Sequence, residues 1–224
     1  MEAGELFRLE GNPGETLTIV PAAANLDKLG AGMTRGRLLV EGDAGALAAS
    51  GLAGGHVRVQ GDAGGRAGAG MVAGNLEITG SCGDCLGGPL IGTTHGMAGG
   101  MIRVGGSAGH RAGERLRRGL VVIDGDAGDY LGANMIAGTI AVAGRAGTWC
   151  GSGMRRGTLI LARQPASMPA TFNANGPRPP GFLALFRPLL GSAWAPLMAN
   201  DADPFSRFLG DLAEEGMGEV LIAV

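Results

Sequence analysis

Residues Gly68 to Asp84 read GAGMVAGNLEITGSCGD. The opening Gly68-Ala69-Gly70-Met71-Val72-Ala73 satisfies G-x-G-x-x-G/A, the fingerprint of a dinucleotide-binding loop. That fingerprint works by setting a pyrophosphate against the free N–H groups of a helix N-terminus. It therefore needs a helix after it and an acidic residue about 20 positions on. Here the next residues alternate polar and apolar and reach glycine within six positions, which reads as a short strand. Variants of the same stretch recur as GAGMTR from Gly30, GANMIA from Gly132 and GSGMRR from Gly151. A phosphate loop is used once, whereas a structural repeat is used many times, so the stretch is read as one unit of a repeat.

The glycine before each short apolar run gives the period. Gly36, Gly55, Gly74, Gly100, Gly119, Gly138 and Gly157 are spaced by 19, 19, 26, 19, 19 and 19 residues, with one insertion of seven. Two residues after each stand Leu38, Val57, Leu76, Ile102, Val121, Ile140 and Leu159. Four after stand Val40, Val59, Ile78, Val104, Ile123, Val142 and Leu161. The residues between are mixed, so one face of each strand points inward and the other outward.

A second glycine follows at Gly42, Gly61, Gly80, Gly106, Gly125 and Gly144, and Arg163 breaks that column at its seventh place. A small residue and a further glycine come next, as in Ala44-Gly45, Cys82-Gly83 and Ala146-Gly147. One more column, Met33, Leu52, Met71, Met97, Leu116, Met135 and Met154, is long and apolar and suits an inward stack. A 19-residue unit of short strands with glycine corners is one turn of a parallel β-helix. About seven rungs at about 4.8 Å make a prism roughly 34 Å long. The expected fold class is all-β: a parallel β-helix over residues 30–163, an N-terminal cap over 1–29, and a C-terminal linker and docking arm over 164–224.

Composition excludes several classes. Glycine takes 45 of 224 positions, without the period of three that collagen needs. The chain is 45% hydrophobic, too apolar for disorder. A net charge of −2 gives no electrostatic case for nucleic acid or an anionic membrane. No apolar run is long enough to span a bilayer and no signal-peptide pattern opens the chain, so a cytoplasmic location is expected.

In the arm, RQPASMPATFNANGPRPPG reads as an extended linker. FLALFRPLLGSAWAPLMAN, residues 182–200, is an apolar anchor. Asp203 with Pro204 reads as the cap and first position of a helix running to about Glu215, then a glycine and a short strand.

The search for chemistry yields little. Cys82-Gly-Asp-Cys85 is a C-x-x-C, but Cys82 stands in the inward alanine column and Cys150 in another inward column. Both read as small core residues, and Cys85 as outward. His56 and His110 have no carboxylate partner in their own rungs and read as surface. His95 closes the insertion PLIGTTH, residues 89–95, and a loop projecting from a regular solenoid is a candidate partner contact. Asp43, Asp62 and Asp126 read as turn-stabilising residues. Arg35, Arg118 and Arg156 share a column, which is a candidate contact stripe for an acidic partner or a polyanionic cofactor chain. Leu39, Val122 and Ile160 are apolar in an outward column. With Trp194, Phe205 and Phe208 of the arm they are candidate partner contacts. No catalytic or metal-ligating residues are assigned.

The rung pattern Gly-x-hydrophobic-x-hydrophobic-x-Gly-x-Ala-Gly resembles the right-handed β-helix of glutamate synthase C-terminal domains and of the β-helical, C-type subunits of formylmethanofuran dehydrogenase. The tail DPFSRFLGDLAEEGMGEVLI looks like the tail of the latter. With no synthase domain and almost no lysine, the chain is most similar to the C-type subunit of the bacterial formyltransferase/hydrolase complex. That resemblance implies a non-catalytic scaffold in one-carbon metabolism, where formaldehyde is oxidised to formate. It implies a complex that uses tetrahydromethanopterin and a methanofuran-type carrier, neither bound by this chain directly. It also implies an amidohydrolase-like hydrolase subunit, a formyltransferase subunit and a further structural subunit as partners. The alternatives are the corresponding β-helical subunit of a formylmethanofuran dehydrogenase and an autonomous β-helix carbohydrate-active enzyme. The latter fits poorly, because the outward column Leu39, Arg58, Glu77, Arg103, Val122, Ala141, Ile160 holds no cluster of acidic or basic residues on successive rungs.

Overall fold

The computed structural model describes residues 16–21, 26–178, 181–191, 193–194 and 205–223. Strands β1 (Thr16–Ile19), β2 (Arg37–Val40), β3 (Ala53–Val59), β4 (Ala73–Ile78), β5 (Met101–Val104), β6 (Leu120–Ile123), β7 (Thr139–Val142) and β8 (Arg156–Leu161) stack in parallel, each on the last. From β2 to β8 the register advances by 19 residues per strand, except at Ala53 and Ala73, which are 20 apart beside a register shift, and from Asn75 to Met101, which takes up the insertion. The chain is a parallel β-solenoid of about seven turns.

A second stack of single bridges runs beside the strands through Ala44, Ala63, Cys82, Ala108, Ala127 and Ala146. Only a side chain of about this size fits where successive rungs meet so closely. Between the two stacks the methionine–leucine column is buried from Leu52 to Met154. With the paired columns of the strands it makes one continuous core.

Each rung turns its corner through left-handed residues. Lys28, Leu47, Arg66, Cys85, Arg111, Tyr130 and Trp149 all have φ between 57° and 62°. A residue with a Cβ pays about 1–2 kcal/mol for this conformation. It persists because the corner's amides are all used: Leu47 N–H donates to Gly65 O at 2.9 Å, and Tyr130 N–H to Thr148 O at 2.8 Å. The aspartates of the repeat act between rungs rather than within a turn. Asp43 Oδ1 accepts from the Asp62 amide, Asp62 Oδ1 from Ser81 and Asp126 Oδ1 from Arg145, at 2.7–2.8 Å.

The sheet continues past the last rung. Strand β9 (Asn173–Arg178) and β10 (Phe205–Gly210) are followed by β11 (Met217–Ala223), which pairs in parallel with β8. β10 then pairs antiparallel with β11, and β9 antiparallel with β10, completing a sheet of 11 strands. The helix expected from Pro204 to Glu215 is therefore a strand followed by a turn over residues 211–216. Asp203 and Pro204 lie outside the described residues. Tertiary pairing overrides the local capping signal here, because β11 offers a free edge that β10 satisfies. Short helical structure in the arm lies earlier, as a 3-10 turn over Gly181–Leu185 and helix α1 (Arg187–Leu190). At the other end, β1 and the corner from Asp27 already carry rung hydrogen bonds, such as Ala46 N–H to Asp27 Oδ1 at 2.7 Å.

Candidate functional site

The outward flank of the solenoid has two halves. On β2 to β4 it carries Arg37, Leu39, His56, Arg58, Asn75 and Glu77, all half-buried or exposed. On β6 to β8 it carries Leu120, Val122, Ala141 and Ile160, all buried. The arm makes the difference. Leu183, Leu190, Trp194, Phe205 and Leu221 close over these four residues as a second apolar core. Strand β6 is consequently buried along its whole length, as parallel strands covered on both faces are.

Of the apolar candidates, Val122, Ile160, Trp194 and Phe205 thus meet one another within the chain. Phe208, three residues from Phe205, packs on the main core instead. Leu39 stays on the uncovered half and is partly exposed.

Arg103 marks the border between the halves. Its Nη2 donates to Asp124 Oδ2 at 2.7 Å, and its Nη1 to the Leu189 carbonyl of the arm at 3.2 Å. Gly191 passes against the same guanidinium, with no room for a Cβ. Arg103 ties the arm to the solenoid flank, a role its column did not reveal.

Asp211 is the second tie. The residue is 4% exposed, and its carboxylate accepts from the Gly153 and Ala213 amides at 3.1 and 3.0 Å. Burial alone would raise this carboxyl. The neighbouring Thr171 hydroxyl and the two amides outweigh burial and hold it below the ordinary aspartate range. The Thr171 oxygen lies outside good hydrogen-bond geometry, so we assign the effect chiefly to the amides.

The arginine column is only partly open. Arg35, Arg118 and Arg156 are all exposed. Arg156 pairs with Glu215 at 3.4 Å and its neighbour Arg155 with Glu214 at 3.2 Å, so the turn before β11 is tacked to this column. Arg118 precedes β6, two strand spacings or about 10 Å from Arg156. Arg35 precedes β2, four spacings further on, so the three do not converge on one ligand.

The insertion is a braced loop. Arg66 Nη1 donates to Pro89 O at 3.1 Å and Arg115 Nη1 to Thr94 O at 3.2 Å. Thr93 Oγ1 donates to Leu90 O at 2.8 Å. Leu90 lies over Gly70, where a methyl group would come within 2.7 Å of it. His95 is half-buried at the loop's base, with Nδ1 3.5 Å from Thr94 Oγ1. The residue that projects is Ile91, at 88% exposure.

Burial pushes the Cys82 and Cys150 thiols up to about 12, and raises that of Cys85 as well. None of the three is a ready thiolate. His56 and His110 do have carboxylates near them, from the next rung rather than their own. His56 Nε2 lies 3.8 Å from Glu77 Oε2 and His110 Nδ1 3.6 Å from Asp129 Oδ2. His110 Nδ1 also accepts the Asp129 amide at 3.0 Å, which takes the place an aspartate holds on other rungs. Among the described residues no three His, Cys, Asp or Glu side chains converge as a metal site requires. No described helix is long and apolar enough to cross a membrane.

No family model matches the chain, and no curated protein matches it. Among solved structures, a chain of the formyltransferase/hydrolase complex FhcABCD from Methylorubrum extorquens, crystallised in complex with methylofuran, is similar at 34% identity with a TM-score of 0.86. The match covers 97% of this chain and 82% of that one.

Proposed function

Because the chain belongs to the same family as this β-solenoid chain of the formyltransferase/hydrolase complex, we propose that it is the non-catalytic, β-helical scaffold of such a complex. The observation that carries the reading is the match over nearly the whole chain, arm included, at 34% identity. The internal chemistry agrees with it. Burial pushes the Cys82 and Cys150 thiols up to about 12, and the two His–carboxylate pairs sit at the surface.

In this reading the complex moves a formyl group from tetrahydromethanopterin to a methanofuran-type carrier and releases formate in the cytoplasm. The chemistry belongs to a formyltransferase subunit and an amidohydrolase-like subunit, with a further structural subunit in the assembly. This chain supplies a rigid prism on which they are fixed. The arginine column does not converge on one ligand: Arg35, Arg118 and Arg156 are dispersed, and Arg156 is paired with Glu215.

Formate release from formyl-tetrahydromethanopterin tests the assignment. The purified chain should give no turnover with the carrier present, and the assembly recovered through it should. Turnover by the chain alone would overturn the scaffold reading.

A further inference from the structure

The insertion between β4 and β5 interrupts an otherwise regular solenoid, and its geometry is that of a presented side chain. Arg66 and Arg115 brace it from two rungs by bonding the carbonyls of Pro89 and Thr94. The Thr93 hydroxyl closes it internally on Leu90. Its base is stitched into the rungs by Gly96 N–H to Arg115 O at 2.9 Å and Met97 N–H to Gly87 O at 2.8 Å. At the tip of this fixed loop stands a branched aliphatic residue, Ile91, 88% exposed. The outward apolar residues of β6 to β8 are covered by the chain's own arm, whereas Ile91 is more exposed than any other large apolar residue described. Ile91 is covered by nothing among the described residues.

The surroundings say what would cover it. Neither Arg66 nor Arg115 has a carboxylate within ion-pair distance among the described residues, whereas Arg111 beside them is paired with Glu114 at 3.2 Å. The loop therefore presents one apolar knob over two arginines that bond its backbone and have no ion-pair partner among the described residues. A loop-to-loop contact between two copies of this chain would bring those charges against their own kind. We infer that the 89–95 loop is a docking knob: Ile91 inserts into an apolar pocket on a different protein subunit, and acidic side chains at the rim of that pocket meet Arg66 and Arg115. This rests on the reading of the chain as a subunit of a complex.

Both guanidinium groups are already aimed by their bonds to the loop, so little side-chain order remains to be lost on docking. The knob is rigid for the same reason.

The test uses the tagged full-length chain expressed in its own host, with Ile91→Asp and Ile91→Lys as variants. Exposure of Ile91 leaves folding unaffected, which thermal melts of the purified variants verify. The readout is the dissociation constant of the chain from the formyltransferase/hydrolase assembly recovered with wild type. Ile91→Asp should weaken it by about a hundredfold, and Ile91→Lys by only about tenfold, because a lysine satisfies an acidic rim. Wild-type affinity in both variants would overturn the knob and leave complex membership standing. Equal losses, or a greater loss for Ile91→Lys, would overturn the acidic rim. A self-dimer or a bound nucleic acid that Ile91→Asp releases would overturn the choice of partner. If wild type itself recovers no such assembly, the inference falls together with the proposed function.

Discussion

A methyl group added at Gly55 would lie 2.5 Å from the Gly36 carbonyl oxygen, in a backbone at φ +81°. The rung below has no freedom to retreat, because its own amides and carbonyls are bonded along the axis. Gly55→Ala should therefore lower stability by at least about 2 kcal/mol in a denaturant titration. This column is where the sequence was most legible: each glycine answers a local demand, and the demand repeats. Asp211 shows the opposite. Nothing around it in sequence distinguishes it from a surface aspartate, since its amide donors come from Gly153 across the fold and from Ala213. Its folded carboxyl lies below the unfolded value of about 3.9, so its contribution is complete above that pH and is lost as pH falls through the lower folded value. Asp211→Asn should cost about 1–3 kcal/mol at pH 7, and the difference from wild type should shrink towards pH 3. A difference that held constant down to that pH would contradict the assignment. Thiol labelling in the native chain at pH 8 should modify Cys85 slowly and spare Cys82 and Cys150, with all three reacting in guanidinium.

At the scale of elements, the arm governs how the flank is read. The outward column changes from Arg58 and Glu77 to Val122, Ala141 and Ile160 with Arg103 between, so the apolar half was visible in the sequence. What covers it was not visible. An apolar face and an apolar arm in one chain are equally consistent with two separate contacts to partners and with one contact between themselves, and only the backbone path decides. The same ambiguity hid strand β10, whose hydrogen bonds come from β9 and β11 rather than from local neighbours. Trp194→Ala should cost about 3–5 kcal/mol and release the arm while leaving the solenoid wound. Hydrogen exchange would then speed up in the covered faces of β6 to β8 but not in β2 to β4. Uniform loss of protection would mean that arm and solenoid unfold together. Ending the chain after Arg163 should expose both this face and the edge of β8, and light scattering should detect aggregation.

For the whole molecule, one sheet of 11 strands runs unbroken from β1 through β8, then β11 and β10, to β9. Along the solenoid, Asp43, Asp62, Asp126, Ser81 and Ser107 are engaged in rung-to-rung hydrogen bonds. The period and core columns could be read without any structure. The loop's braces could not, because Arg66 and Arg115 approach Pro89 and Thr94 from separate rungs. Centrally, this body is held to work as one subunit among others. Native mass spectrometry of the tagged chain, purified gently from its host, measures that directly. A stoichiometric assembly containing a formyltransferase and an amidohydrolase-like subunit is the predicted result. A free, soluble monomer as the dominant species would contradict it.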